Sequence, residues 1–135
     1  RMVGAKVTIV SHKVQTTRNR ILGIFTHDTT QIILIDTPGL FEPSSRLDKA
    51  MVKAAWGGTE GADIIIYLRD AQKPYPARGE DKILKRLNAQ ADKTPVYLIL
   101  NKVDMVEKAA LLQLSQSLYN DCNFAKTFMI SALKG

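Results

Sequence analysis

Only one cysteine, Cys122, occurs in the 135 residues, so neither a disulfide framework nor a cysteine metal site can form. A reduced thiol in a cytoplasmic protein is the reading that remains. No apolar run approaches the ~20 residues of a membrane-spanning helix, and the N-terminus has no signal-peptide pattern. Aromatic residues are 7% of the chain and are not interleaved with basic ones, which argues against base stacking and RNA binding by these residues alone. DNA binding is not expected either. Acidic residues are missing from positions 1–27, which carry Arg1, Lys6, Lys13, Arg18 and Arg20 with His12 and His27. A solvated basic face is the plainer account of that segment; a surface facing phosphates is the sharper one. The two histidines lack partners at metal-binding spacing. Repeats, low-complexity tracts and linkers are absent, and so is GxxxxGK[ST], the glycine-rich cradle for phosphates.

What is present is an ordinary globular composition, 45% apolar and 24% charged with a formal charge of +6, enough for one domain or most of one. Residues 5–10 suggest a short extended segment and Ser11–Asn19 a polar loop. Ile21–Phe25 and Gln31–Ile35 suggest a hairpin around Thr26–Thr30. Phe41–Arg46, with Pro43, suggests a mobile loop. Leu47, Ala50, Met51, Ala54 and Ala55 recur at helical spacing, and Trp56 in that helix reads as packing. Ile64–Leu68 reads as a buried strand and Glu80–Asn88 as a helix with Ile83, Leu84 and Leu87 on one side. Val96–Leu100 is a strand, Ala109–Tyr119 a helix with Leu111, Leu112, Leu114 and Leu118, and Thr127–Ile130 a last strand. Alternation of strand and helix after the hairpin predicts parallel strands.

Two tetrapeptides directly follow apolar runs. Asp36-Thr37-Pro38-Gly39 leaves Ile32–Ile35, and Asn101-Lys102-Val103-Asp104 leaves Val96–Leu100. Loops at the carboxyl ends of strands are where open α/β sheets bind ligands. Guanine presents an N1–H and a 2-amino group side by side, and one carboxylate accepts from both; Asp104 suits that role. Adenine would leave it unpaired, at a cost of roughly 1–3 kcal/mol. DxxG followed at a distance by NKxD resembles the marker pair of guanine-nucleotide-binding domains, in which the asparagine holds the loop and approaches N7 while the lysine stem packs along the base. A helix-capping turn is the plainer alternative. At Asp36 a strand-end carboxylate suits Mg²⁺ held through water, and the Gly39 amide suits a γ-phosphate because no side chain intervenes. A simple turn around Thr-Pro-Gly is the alternative. In Gln15-Thr16-Thr17-Arg18 either threonine has a hydroxyl for Mg²⁺ and an amide for the γ-phosphate. After the last strand, Ser131-Ala132 offers a backbone amide to the guanine O6.

In the order QTTR, DTPG, NKVD, SA, the chain resembles the Era-type bacterial GTPases of the translation-factor-like class. The stretch Val3–Arg20 is similar to that family's first switch, and Asp36–Leu40 and Arg46–Met51 also look like it. The likeness extends over nearly all 135 residues. It implies a P-loop NTPase-like three-layer α/β sandwich, mostly parallel with one antiparallel hairpin strand, whose first strand and P-loop would precede Arg1. Residues 1–135 would then be a partial G domain with no second domain, truncated at both ends, and an RNA-binding KH domain would follow Gly135.

The same resemblance implies GTP and GDP as ligands with Mg²⁺. It makes Thr17 the switch threonine, places Thr17 and Asp36 at the metal, and gives Thr17 and Gly39 to hydrolysis. It assigns nucleotide binding to Thr17, Asp36, Gly39, Asn101, Lys102, Asp104, Ser131 and Ala132. Leu40 stands where Ras-type enzymes have a water-orienting glutamine, which implies slow intrinsic turnover. Leu133 replaces the lysine of the common SAK form, and without a P-loop residues 1–135 would have impaired phosphate affinity and rate. The implied role is a GTP-driven switch in small ribosomal subunit assembly that meets 16S rRNA, with peripheral association at the inner membrane in some members. Two other readings stand beside it: an inactive GTPase-like interaction module, and a G domain of the related Der type.

Overall fold

The structure, a computed structural model, describes residues 21–40 and 46–134. The extended segment at 5–10, the polar loop with Thr16 and Thr17, and positions 41–45 lie outside those residues. Contacts divide the chain into two compact units, one up to Glu60 and one from Gly61.

In the first unit, β1 (Ile21–His27) and β2 (Thr30–Asp36) pair antiparallel, Ile21 opposite Asp36 and His27 opposite Thr30. The expected five-residue connection is tighter, because Thr26, His27 and Thr30 join the ladder. Only Asp28 and Thr29 remain between the strands, and Asp28 turns the chain at φ 52°, a left-handed geometry that aspartate tolerates. Helix α1 (Arg46–Gly57) follows, with Met51, Ala55 and Trp56 buried. Trp56 packs, as expected. Leu47, placed on the same stripe by its spacing, is 60% exposed: only the C-terminal turns of α1 are covered.

The second unit alternates strand and helix: β3 (Ile65–Asp70), α2 (Glu80–Ala91), β4 (Val96–Asn101), a 3₁₀ turn at Val103–Met105, α3 (Lys108–Asp121) and β5 (Lys126–Ile130). The strands lie in the order β3-β4-β5 and both pairings are parallel, with a helix in each connection. Val96, Leu98 and Leu100 alternate along β4 and are fully buried, as are Leu84 of α2 and Leu118 of α3. Leu87, Leu111 and Leu114 complete the helical stripes, whereas Leu112 falls off its stripe and is exposed. One expectation is corrected. β3 is not buried on both sides: Ile65 is covered, but Ile66 and Leu68 alternate with it and are exposed, Leu68 at 60%. Period-two geometry sends neighbouring side chains to opposite faces, so an unbroken apolar run does not by itself cover both.

The strand also runs on past its apolar stretch through Arg69 to Asp70. A charged residue fits there because Arg69 is matched inside the fold. Its guanidinium meets the Glu80 carboxylate at 2.6 Å, and each side chain is only 4% exposed. Tyr67 Oη donates to the same carboxylate at 2.8 Å, and the Ala77 amide donates to it at 2.7 Å. Burial opposes ionisation of Glu80, but these donors outweigh it and hold the carboxyl below its ordinary value. Arg69 further donates to the carbonyls of Asp70, Lys73 and Pro74, which fixes the path of the chain leaving β3.

Candidate guanine-nucleotide site

Parallel pairing determines which residues meet at the carboxyl end of the three-stranded sheet. Asp70, Asn101 and Ile130 are successive register partners, so the loops after β3, β4 and β5 emerge side by side. The Ala71 amide donates to the Asn101 carbonyl at 2.9 Å, extending the register one step beyond the strands.

Asn101 joins two of these loops through one atom. Its Oδ1 accepts from the Lys102 amide at 2.8 Å and from the Ala132 amide at 3.0 Å. Lys102 then turns the chain at φ 64°, ψ 33°, and its carbonyl accepts from the Met105 amide at 3.0 Å to close the 3₁₀ turn. That turn carries Asp104. The backbone of Asp104 is open to solvent, but its side chain is only 12% exposed. A hydrogen bond from the Ser131 hydroxyl is the main reason its carboxyl lies below the ordinary value, and the Lys134 ammonium at 3.6 Å adds to it. Asn101, Lys102, Asp104, Ser131 and Ala132 are therefore brought together. A lowered carboxyl stays ionised at neutral pH, which suits it to accept two adjacent N–H donors.

Several partners were not visible in the sequence motifs. Ser131 contributes more than a backbone position, since its hydroxyl holds Asp104 while its Oγ accepts from the Lys134 amide at 3.3 Å. Leu133 is exposed, and the lysine that reaches Asp104 comes one residue later, at Lys134. Asp70 belongs to no recognised tetrapeptide, yet its Oδ2 accepts from Lys102 Nζ at 2.7 Å. Burial opposes ionisation of Asp70, but the Lys102 hydrogen bond and the Gln72 amide prevail and lower its pKa. The register pair Asp70–Asn101 was the available signal, and it required knowing how far β3 runs.

The second motif lies in the first unit. Asp36 ends β2 and is exposed, Thr37 is half-buried, Pro38 is buried and Gly39 is exposed. A Cβ on Gly39 would meet nothing of the described protein within 4 Å. Gly58, just beyond α1, supports the loop: a Cβ there would lie 2.5 Å from Thr37 Cγ2. A single exposed strand-end carboxylate is compatible with Mg²⁺, which keeps several waters and takes few protein ligands. The described residues contain no cluster of three or more His, Cys, Asp or Glu for a metal. Thr17, the other expected ligand, lies outside them.

A mixed α/β fold with these loops at its strand ends defines a class, and comparison with known proteins assigns it. The chain belongs to the 50S ribosome-binding GTPase family, whose model matches residues 1–102. Within that family, Era proteins are among its relatives. It is 53% identical over 135 residues to GTPase Era of Mesorhizobium japonicum, covering 99% of this chain and 42% of that protein. Identity to GTPase Era of Dinoroseobacter shibae is 52%, with 99% and 44% covered. Among solved structures, a crystal structure of Era in complex with MgGDPNP and nucleotides 1506–1542 of 16S ribosomal RNA superposes with a TM-score of 0.81 at 34% identity. It covers 98% of this chain and 45% of that one. Translation elongation factor SelB of Methanococcus maripaludis, at 15% identity over 88% of this chain and 25% of that one, shares the fold with a TM-score of 0.66. The chain thus spans less than half the length of these Era relatives.

Proposed function

We propose that these residues form the base-reading and switch-loop portion of an Era-type GTPase, a protein that binds GTP, hydrolyses it to GDP and changes state in doing so. The observation that carries the reading is the joined loop pair. Asn101 Oδ1 holds the Lys102 and Ala132 amides, and Ser131 presents an ionised Asp104 beside them. Asp104 accepts from the guanine N1–H and 2-amino group, Lys102 lies along the base, and the Ala132 amide, which donates to Asn101 Oδ1, is shared with O6 when the base is bound.

Thr17 and Asp36 would hold the Mg²⁺, which would supply charge neutralisation at the phosphates. The Gly39 amide would approach the γ-phosphate with no side chain intervening. Leu40 cannot orient an attacking water as a glutamine does, so intrinsic turnover is slow. By likeness to the Era complex, the whole protein meets 16S rRNA during small-subunit assembly. A cytoplasmic location accompanies that role. Peripheral association with the inner membrane is the finer expectation from the resemblance, and no described helix is long and apolar enough to cross a membrane.

The test is a titration of the full-length protein with fluorescent GDP, using unlabelled ATP as competitor, followed by the same titration of Asp104→Asn. GDP binding should resist ATP. An amide donates where the carboxylate accepted, so the variant should lose roughly 10- to 100-fold in GDP affinity. It should gain affinity for xanthosine diphosphate, whose O2 accepts from the new NH₂. Displacement by ATP, or unchanged GDP binding in the variant, would refute the reading.

A further inference from the structure

Lysine has one of the largest rotamer entropies of any side chain, so a lysine that must lie flat along a base gains from being held at its far end before the ligand arrives. Lys102 is held in that way. Its backbone is fixed by the left-handed turn and by Asn101, and its ammonium is fixed 2.7 Å from Asp70 Oδ2.

Asp70 is itself held through both its side chain and its backbone. Its other carboxylate oxygen accepts from the Gln72 amide at 3.0 Å, and its carbonyl accepts from Arg69 at 3.2 Å. Its backbone is in register with Asn101. Arg69 is anchored in turn by the buried Glu80. A chain of fixed groups therefore runs from the inside of the second unit to the tip of the Lys102 side chain.

We propose that Asp70 is a positioning residue for nucleotide binding: it holds the Lys102 ammonium so that the lysine stem is pre-placed for the face of the guanine base. The inference rests on the guanine reading given above. Its alternative is a pair that merely stabilises the fold. Exposure decides between them. The Lys102 side chain is 51% exposed and that of Asp70 24%, and ion pairs this open to water contribute little to stability. A short, charge-assisted hydrogen bond from the end of β3 to the loop after β4 acts on the geometry of Lys102.

The experiment is a thermodynamic cycle in the full-length protein, read by fluorescent-GDP titration of wild type, Asp70→Ala, Lys102→Ala and the double variant. Asp70→Asn is measured alongside, because its retained side-chain oxygen keeps the Gln72 contact while the charge is lost. Asp70→Ala should weaken GDP and GTP equally, by about two- to tenfold, the cost of immobilising one long side chain at binding. In the Lys102→Ala background the same change should cost less than about twofold, since nothing is left to position. The preference for guanosine over inosine diphosphate should not move, because Asp104 reads that edge. Thermal midpoints should stay within about 2 °C of wild type.

Wild-type affinity in both Asp70→Ala and Asp70→Asn would overturn the proposal. So would an equal loss with and without the Lys102 side chain. A wild-type protein that fails to bind GDP would overturn the guanine reading and the Asp70 role together, whereas wild-type binding with indifferent Asp70 variants removes the Asp70 role alone.

Discussion

Asp104 carries the chemistry of the site, and its neighbours decide over what pH range it can. Ser131 is the main cause of its lowered carboxyl, with Lys134 assisting. A carboxyl lowered in the folded state contributes fully above its unfolded value, ordinarily about 4, and loses that contribution as pH falls through the lowered folded value. Asp70 is displaced in the same direction. Ionisation of Asp104 and Asp70 should therefore leave nucleotide binding unaltered above about pH 5 and weaken it only on the acid side of about pH 4. Ser131→Ala removes the leading cause for Asp104, so the acid limb of its GDP-binding curve should move upward in pH. Affinity measured as a function of pH checks this, and a limb that stays in place would show that the hydroxyl does not govern Asp104. Ser-Ala alone carries almost no information in a sequence. Its importance comes from β4–β5 pairing, which no local pattern encodes.

At the level of elements, much of the layout could be read directly from residue order. The hairpin, the three helices and the parallel strands all follow from apolar spacing, because burial rewards period two in strands and 3.6 in helices. What escaped that reading were places where a polar residue is buried with its partner. Arg69 looks like the end of a strand, and Glu80 like a solvated first turn of α2. Together they form an ion pair inside the fold, supported by Tyr67 and the Ala77 amide. Hydropathy cannot show this, since each side chain is acceptable inside only because the other is there. Glu80→Ala should cost roughly 3–5 kcal/mol by leaving the arginine charge uncompensated. Replacing both by apolar residues, as in Arg69→Met with Glu80→Leu, should recover most of that loss. Denaturant unfolding of the single and double variants makes the comparison. A double variant no more stable than the single one would mean that the hydrogen bonds to the loop carbonyls, rather than charge compensation, are what the pair supplies. The supporting role of Gly58 under Thr37 was equally hidden, because it depends on a contact between a loop and a helix end.

For the whole molecule, the recognised residues divide between the two compact units. Asn101, Lys102, Asp104, Ser131 and Ala132 belong to the second, and Asp36 and Gly39 to the first. On the proposed function this division predicts two separable kinds of damage. Asp104 contacts the base in substrate and transition state alike, so Asp104→Asn should weaken GTP and GDP together and raise KM, while kcat at saturating GTP stays within a few-fold. Asp36→Ala should instead reduce kcat by at least about a hundredfold through loss of charge stabilisation at the phosphates, with GDP affinity changed by less than about threefold. Gly39→Ala is the sharper probe of the same end. The added methyl meets nothing of the described protein within 4 Å, so folding should be unaffected, yet it would stand where a γ-phosphate approaches the amide. Steady-state GTP hydrolysis and GDP titration of the three full-length variants separate the cases. If Asp36→Ala and Gly39→Ala lowered GDP affinity as much as Asp104→Asn while leaving kcat intact, the loop after β2 would be a binding element and not a sensor of the γ-phosphate.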